Sequence, residues 1–127
     1  MHKQVSLLLA FAWTLLILFL CLIKAKSIPV VPIENLDKVV HAFLHFVFTT
    51  LWVFFFKKQF AATSFHKILL FSFGLSVVFG ITIELLQEFC TTTRSADVFD
   101  VLANTTGATL AVIVFYIWNK RKYKAQL

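Results

Sequence analysis

This 127-residue sequence has little of what a soluble domain needs. Only 14% of its residues are charged, against 60% hydrophobic, which leaves too little polar surface to cover a water-soluble fold. Two cysteines exclude a disulfide framework, and neither belongs to a metal-spaced pair, so Cys21 and Cys90 are expected to be free thiols. Three glycines, none in a phosphate-cradling loop, argue against a nucleotide site. The two prolines, Pro29 and Pro32, both fall in one short stretch, where they stop a helix from continuing. A metal site could draw on His41, His45, Glu84 and Asp100, but there is no HExxH and no paired-aspartate motif, so no metal and no other cofactor is expected. Ser76 follows Gly74-Leu75, but it lies mid-span on a stripe of small residues and no histidine follows it in the chain, which argues against an intramembrane serine protease.

What is present is a set of long apolar runs carrying sixteen phenylalanines. Runs of about 18 apolar residues read as membrane spans. Four are predicted, at about residues 5–23, 36–56, 68–87 and 97–118. The first is longer than the hydrophobic region of a signal peptide and reads as a retained helix. Residues 24–36 form a loop, Asn35 is placed to cap the second helix, and residues 57–67 form a basic loop. The expected fold is all-α: one domain over residues 1–127, a four-helix transmembrane bundle.

The net charge of +6 is spread along the chain in a way that speaks of membrane orientation and not of nucleic acid. Eight of the twelve basic residues fall in the N-terminus, the middle loop and the tail. By the positive-inside rule both termini are cytoplasmic, with Trp52, Tyr116 and Trp118 near the inner interface. All six acids, Glu34, Asp37, Glu84, Glu88, Asp97 and Asp100, then lie on the outer side. Acids influence topology little, so a polar site facing outwards is the better explanation.

Residues 83–107 concentrate that site. A carboxylate costs roughly 2.5–3.5 kcal/mol at the middle of a spanning helix, and an ionisable group there is by default a functional candidate. Three stripes at helical spacing converge on it. Asp37, His41, His45 and Thr49 recur every four residues, as do Ser72, Ser76, Gly80, Glu84 and Glu88. Asp97, Asp100, Asn104, Gly107 and Ala111 step by three or four. Small residues at such spacing let membrane helices approach closely.

Each stripe also has a plainer reading. Asp97 and Asp100 serve as a helix N-cap and an acid in the first turn. Asn104 must find a partner, with Glu84 or another helix's backbone the expected one. Arg94 and Asp97 make a surface ion pair, and His41 is a packed histidine oriented by Asp37. The same Asp37–His41 arrangement suits acid–base work, and His45, His66 and His2 read as packing or solvent-facing residues.

The stretches DKVVH at residues 37–41, IELLQEF at 83–89 and RSADVFDVLANTTGA at 94–108 resemble, in this order, the VanZ-like family of small bacterial membrane proteins. The family's recurring positions map onto Asp37, Lys38, His41, Glu84, Gln87, Arg94, Asp97, Asp100, Asn104 and Gly107. This chain departs from the pattern at Thr92-Thr93, where Pro-Gly is usual, at His45, where an aromatic is, and at Ala111, where glycine is common.

The resemblance implies a multi-pass protein of the bacterial inner membrane with a cell-envelope role, the family's namesake being linked to low-level teicoplanin resistance. The expected partners are membrane lipid and a lipid-linked cell-wall precursor. Asp37, Lys38, Gln87, Arg94, Asp97 and Asn104 are the candidate binding residues, with Lys38 and Arg94 holding a phosphate or carboxylate. His41, Glu84 and Asp100 are the candidate acid and base should the protein be an enzyme acting on such a lipid. In the third reading the polar cluster only holds helices together.

Overall fold

The computed structural model describes residues 2–23 and 35–127. They form four helices: α1 Lys3–Leu22, α2 Leu36–Gln59, α3 Phe65–Cys90 and α4 Val98–Ala125. At 1.5 Å per residue the shortest, of 20 residues, is about 30 Å long, the thickness of a bilayer's hydrocarbon core. All four are long and apolar enough to cross a membrane. The four-helix expectation therefore holds, with ends that shift. The last helix runs to Ala125, seven residues past its expected end at Trp118, because the basic tail is rich in good helix formers. The expected loop at 24–36, with both prolines, Lys24, Lys26 and Glu34, lies almost wholly outside the described residues.

Helix ends follow local chemistry. The Ser64 side chain accepts a hydrogen bond from the Lys67 amide at 3.4 Å and starts α3. Asp97 accepts from the Phe99 amide at 2.8 Å and starts α4, as the capping reading expects. Asn35 differs. Its backbone is left-handed (φ 57°) and its side chain makes no cap bond, so it precedes α2 without capping it.

α2 and α3 lie between α1 and α4, which do not touch each other among the described residues. Trp13 of α1 donates to the Leu44 carbonyl of α2 at 2.9 Å, and Trp52 of α2 donates back to Thr14 at 3.3 Å. Two apolar clusters fill the interior. Ile17, Cys21, Leu44, Phe48 and Ile83 form one, where Phe48 stacks on Phe79 at 4.8 Å. Val53, Phe56, Ile68, Leu69 and Phe115 form the other. Large side chains such as Leu8, Leu70 and Phe89 point outward, as a lipid-facing surface requires.

The small-residue seams are where the stripes placed them. Ser72, Ser76, Gly80, Asn104, Gly107 and Ala111 are all buried. At Gly107 the contact is backbone against backbone: a Cβ there would stand 1.9 Å from the Ala42 carbonyl oxygen. Only glycine lets α4 come that close to α2. Many hydroxyls within the helices are satisfied locally, as a membrane interior favours, although the buried Thr50 hydroxyl has no partner among the described residues. Thr14, Thr49, Ser72 and Thr105 each donate to the carbonyl four residues earlier at 2.8–2.9 Å.

Candidate functional site

The end of the bundle where α1 and α3 finish and α2 and α4 begin collects the polar residues. Lys38, in the first turn of α2, is its hub. Its ammonium lies 3.0 Å from Asp37 and 2.8 Å from Asp97, and it also binds Asp100. An ammonium has three donors, and each here meets a carboxylate. Lys38 is thus an internal counter-ion joining α2 to α4. Its ammonium, then the Phe99 amide, hold the Asp97 carboxyl below the ordinary 3.8.

One turn further along α2, His41 Nδ1 stands 3.0 Å from Asn104 Oδ1, and Nε2 stands 3.5 Å from Asp100 Oδ2. The histidine is therefore oriented from α4. The expected Asp37–His41 pair is absent among the described residues, because Asp37 points outward onto Lys38. Asn104 finds its partner in His41, and neither Glu84 nor a backbone group supplies one. The spacing on α2 put Asp37 and His41 on one face, but it carried no information about which α4 residues would face them.

Glu84 and Glu88, at the end of α3, shape the elbow that leads into α4. Glu84 Oε2 accepts from the Asp97 amide at 2.9 Å, and Glu88 Oε2 accepts from the Ala96 amide at 2.8 Å. In a capping box a glutamate three residues inside the helix accepts from the N-cap amide. Here Glu84 does so from a neighbouring helix. Thr91 completes the turn by donating to the Gln87 carbonyl at 2.6 Å and the Arg94 carbonyl at 3.1 Å.

Gln87 and Arg94 part company with the cluster's centre. Gln87 is buried and donates to the Cys21 carbonyl at 2.8 Å, tying α3 to α1. Arg94 makes no ion pair among the described residues, and its Nε is buried without a partner. The Arg94–Asp97 pair is not formed, since Asp97 is taken by Lys38. Glu84 Oε1 and Asn104 Nδ2 are likewise buried and unpartnered. His45, 1% exposed, bonds Ser76 at 2.8 Å and packs against Phe48 and Phe79, which is the packing role expected of it.

Sequence reasoning missed that Glu88 pins the elbow, and that Trp13 and Thr14 fasten α1 to α2. The signal for the second was there: a Trp-Thr pair interrupts an otherwise apolar run. At the opposite end a cavity of about 260 Å³ is lined by Phe56, Phe60, Thr63, Lys67, Ile68 and Phe71. Nearby, Lys57 and Lys122 lie over the Trp118 ring at 5.8 and 4.6 Å.

The sequence matches the VanZ/LLP1 family model over residues 2–119, nearly its whole length. The chain belongs to this family. The VanZ/LLP1 match takes in three helices whole, α4 as far as residue 119, and every described residue of the polar end. The chain is also similar to the uncharacterized protein C11E3.10 of Schizosaccharomyces pombe, with 35% identity over 96 residues. That alignment covers 74% of this chain and 55% of the relative, so this VanZ/LLP1 chain spans about half the relative's length. No solved structure matches.

Proposed function

We propose that this VanZ-family membrane protein binds the phosphate-bearing headgroup of an envelope lipid at its acid-rich end, which faces outward from the cytoplasmic membrane while both termini face in. The observation that carries this reading is Arg94. Its guanidinium sits at the polar elbow with Nε buried and unpartnered, while the neighbouring cation Lys38 is consumed by three carboxylates. A planar guanidinium suits a phosphate oxygen, and a buried donor without an acceptor is costly. Arg94 is therefore the anion contact, on the elbow beside the cluster that Lys38, Asp97 and Asn104 hold together.

The test is native mass spectrometry of the full chain in nanodiscs, offered phosphatidylglycerol, phosphatidylcholine and an undecaprenyl-phosphate-linked precursor. Selective retention that Arg94→Gln abolishes supports the reading, and the retained species decides between ordinary lipid and wall precursor. Equal retention by wild type and Arg94→Gln would refute it. In cells, the link to glycopeptide susceptibility is read as a change in teicoplanin inhibitory concentration on deletion that Arg94→Gln fails to complement.

A second reading, catalysis on the same lipid, is favoured by one observation: His41, Glu84 and Asp100 bring ligand-type atoms within 4.8 Å of one another. It requires headgroup release or transfer in a purified system, lost in His41→Ala with lipid retention intact.

A further inference from the structure

The geometry points to a divalent transition-metal site formed by His41, Glu84 and Asp100, departing from the sequence expectation of no metal. This inference stands apart from the lipid reading, because it uses none of Arg94's contacts.

Three observations combine. First, each of the three residues offers one ligand atom, and these atoms lie within 4.8 Å of one another, drawn from three different helices. Second, Glu84 is 3% exposed and gives only one oxygen to the Asp97 amide, while Oε1 has no partner. A buried carboxylate oxygen without a donor calls for a cation or a proton.

Third, the histidine is set up as a ligand. Nδ1 faces the Asn104 carbonyl oxygen, which only accepts, so Nδ1 carries the hydrogen. In the neutral ring Nε2 then presents its lone pair towards Asp100 Oδ2 at 3.5 Å. Two acceptors facing each other repel, and a metal ion between them removes the conflict. Metal-bound histidines commonly donate their other N–H to such an outer partner. Asp100 is held in the same manner, with Oδ1 on Lys38 and Oδ2 turned to His41.

The donor set of one imidazole and two carboxylates suits zinc or manganese and not magnesium, which prefers oxygen alone. Two carboxylates would neutralise a dication in a low-dielectric setting. Metal–ligand bonds of about 2.0–2.2 Å require the three side chains to draw in from their present spacing. A three-ligand site also leaves a coordination position open, as catalytic zinc sites do.

The experiment uses the full chain in detergent, stripped with chelator and titrated with Zn²⁺, Co²⁺ and Mg²⁺ alone. We expect one equivalent of Zn²⁺, visible d–d bands with Co²⁺, and no competition from Mg²⁺. Glu84→Gln and Asp100→Asn keep an acceptor for the Asp97 amide and for Lys38, so both should stay folded while zinc affinity falls at least tenfold. A triple variant, His2→Ala with His66→Ala and Cys90→Ser, should keep its full equivalent. Failure of the folded wild type to bind a stoichiometric ion overturns the site. So does binding that survives both carboxamide variants, or that is lost in the triple variant. In those cases a proton between His41 and Asp100 accounts for the geometry.

Discussion

The Gly107–Ala42 contact permits a sharp test. In Gly107→Ala the new methyl would stand 1.9 Å from the Ala42 carbonyl oxygen, 2.7 Å from its carbon and 3.0 Å from its Cα. Non-bonded heavy atoms rest about 3.5 Å apart, so α2 and α4 must separate by more than about 1 Å. The obstructing atoms are backbone, and no rotamer change relieves them. Overpacking typically destabilises by 1–3 kcal/mol, and we expect the upper end, about 3 kcal/mol, or two orders of magnitude in the unfolding constant.

The other two glycines provide the scale. At Gly80 a Cβ would meet Asn104 Nδ2 at 3.1 Å and His45 Cε1 at 3.2 Å, both on side chains. At Gly74 it would meet nothing within 4 Å. Stability should therefore fall in the order Gly74→Ala, Gly80→Ala, Gly107→Ala, the first close to wild type. The assay is denaturant unfolding in mixed micelles, followed by circular dichroism and by the fluorescence of the three tryptophans. If Gly107→Ala unfolds at the same midpoint as Gly74→Ala, the helices do not meet at Ala42. The Lys38 and His41 contacts across the same interface would then be wrong as well.

Glu84→Ala leaves the Asp97 amide without its acceptor and should lose about 1–3 kcal/mol, whereas Glu84→Gln should lose less than about 1 kcal/mol in the same unfolding assay. Lys38→Met should let the Asp97 carboxyl rise back towards 3.8, as read by carboxyl carbon NMR. A depressed carboxyl adds stability above its unfolded pKa that is lost as pH falls through the folded value, so this variant should show a flatter acid-side loss of stability. A maleimide should label the exposed Cys90 and spare the buried Cys21 in the folded protein. With whole cells, an impermeant maleimide should reach Cys90 from outside. Labelling only after permeabilisation would reverse the proposed orientation.

The bundle was legible because lipid imposes few solutions: apolar runs long enough to span, and small residues every fourth position where helices touch. Ser72, Ser76 and Gly80 announced a seam, and they are buried in one. That Asp97, Asp100 and Glu84 would gather at one end was legible for the same reason, since carboxylates near such runs stand out. Their pairing was not. Periodicity reports which face of a helix a residue occupies, but not how two helices are rotated against each other. Lys38 and Asp100, 62 positions apart, therefore could not be matched in advance. Nor could the role of Glu84 towards a backbone amide, because an amide has no sequence signature. Asn35 failed as a cap for a local reason: its left-handed backbone leaves the side chain without a cap bond.

The glycine contact also divides α4 mechanically. It acts as a fulcrum, with a short arm of about 14 Å back to Val98 and a long arm of about 27 Å on to Ala125 at 1.5 Å per residue. A rigid tilt of α4 about that point moves its two ends in opposite directions, the far end about twice as far. Drawing Asp100 inward by 1 Å would therefore swing the Lys122–Trp118 end by about 1.5–2 Å on the other face of the membrane. A rigid helix pivoting at that contact would carry any displacement of the polar end, enlarged, to the opposite surface.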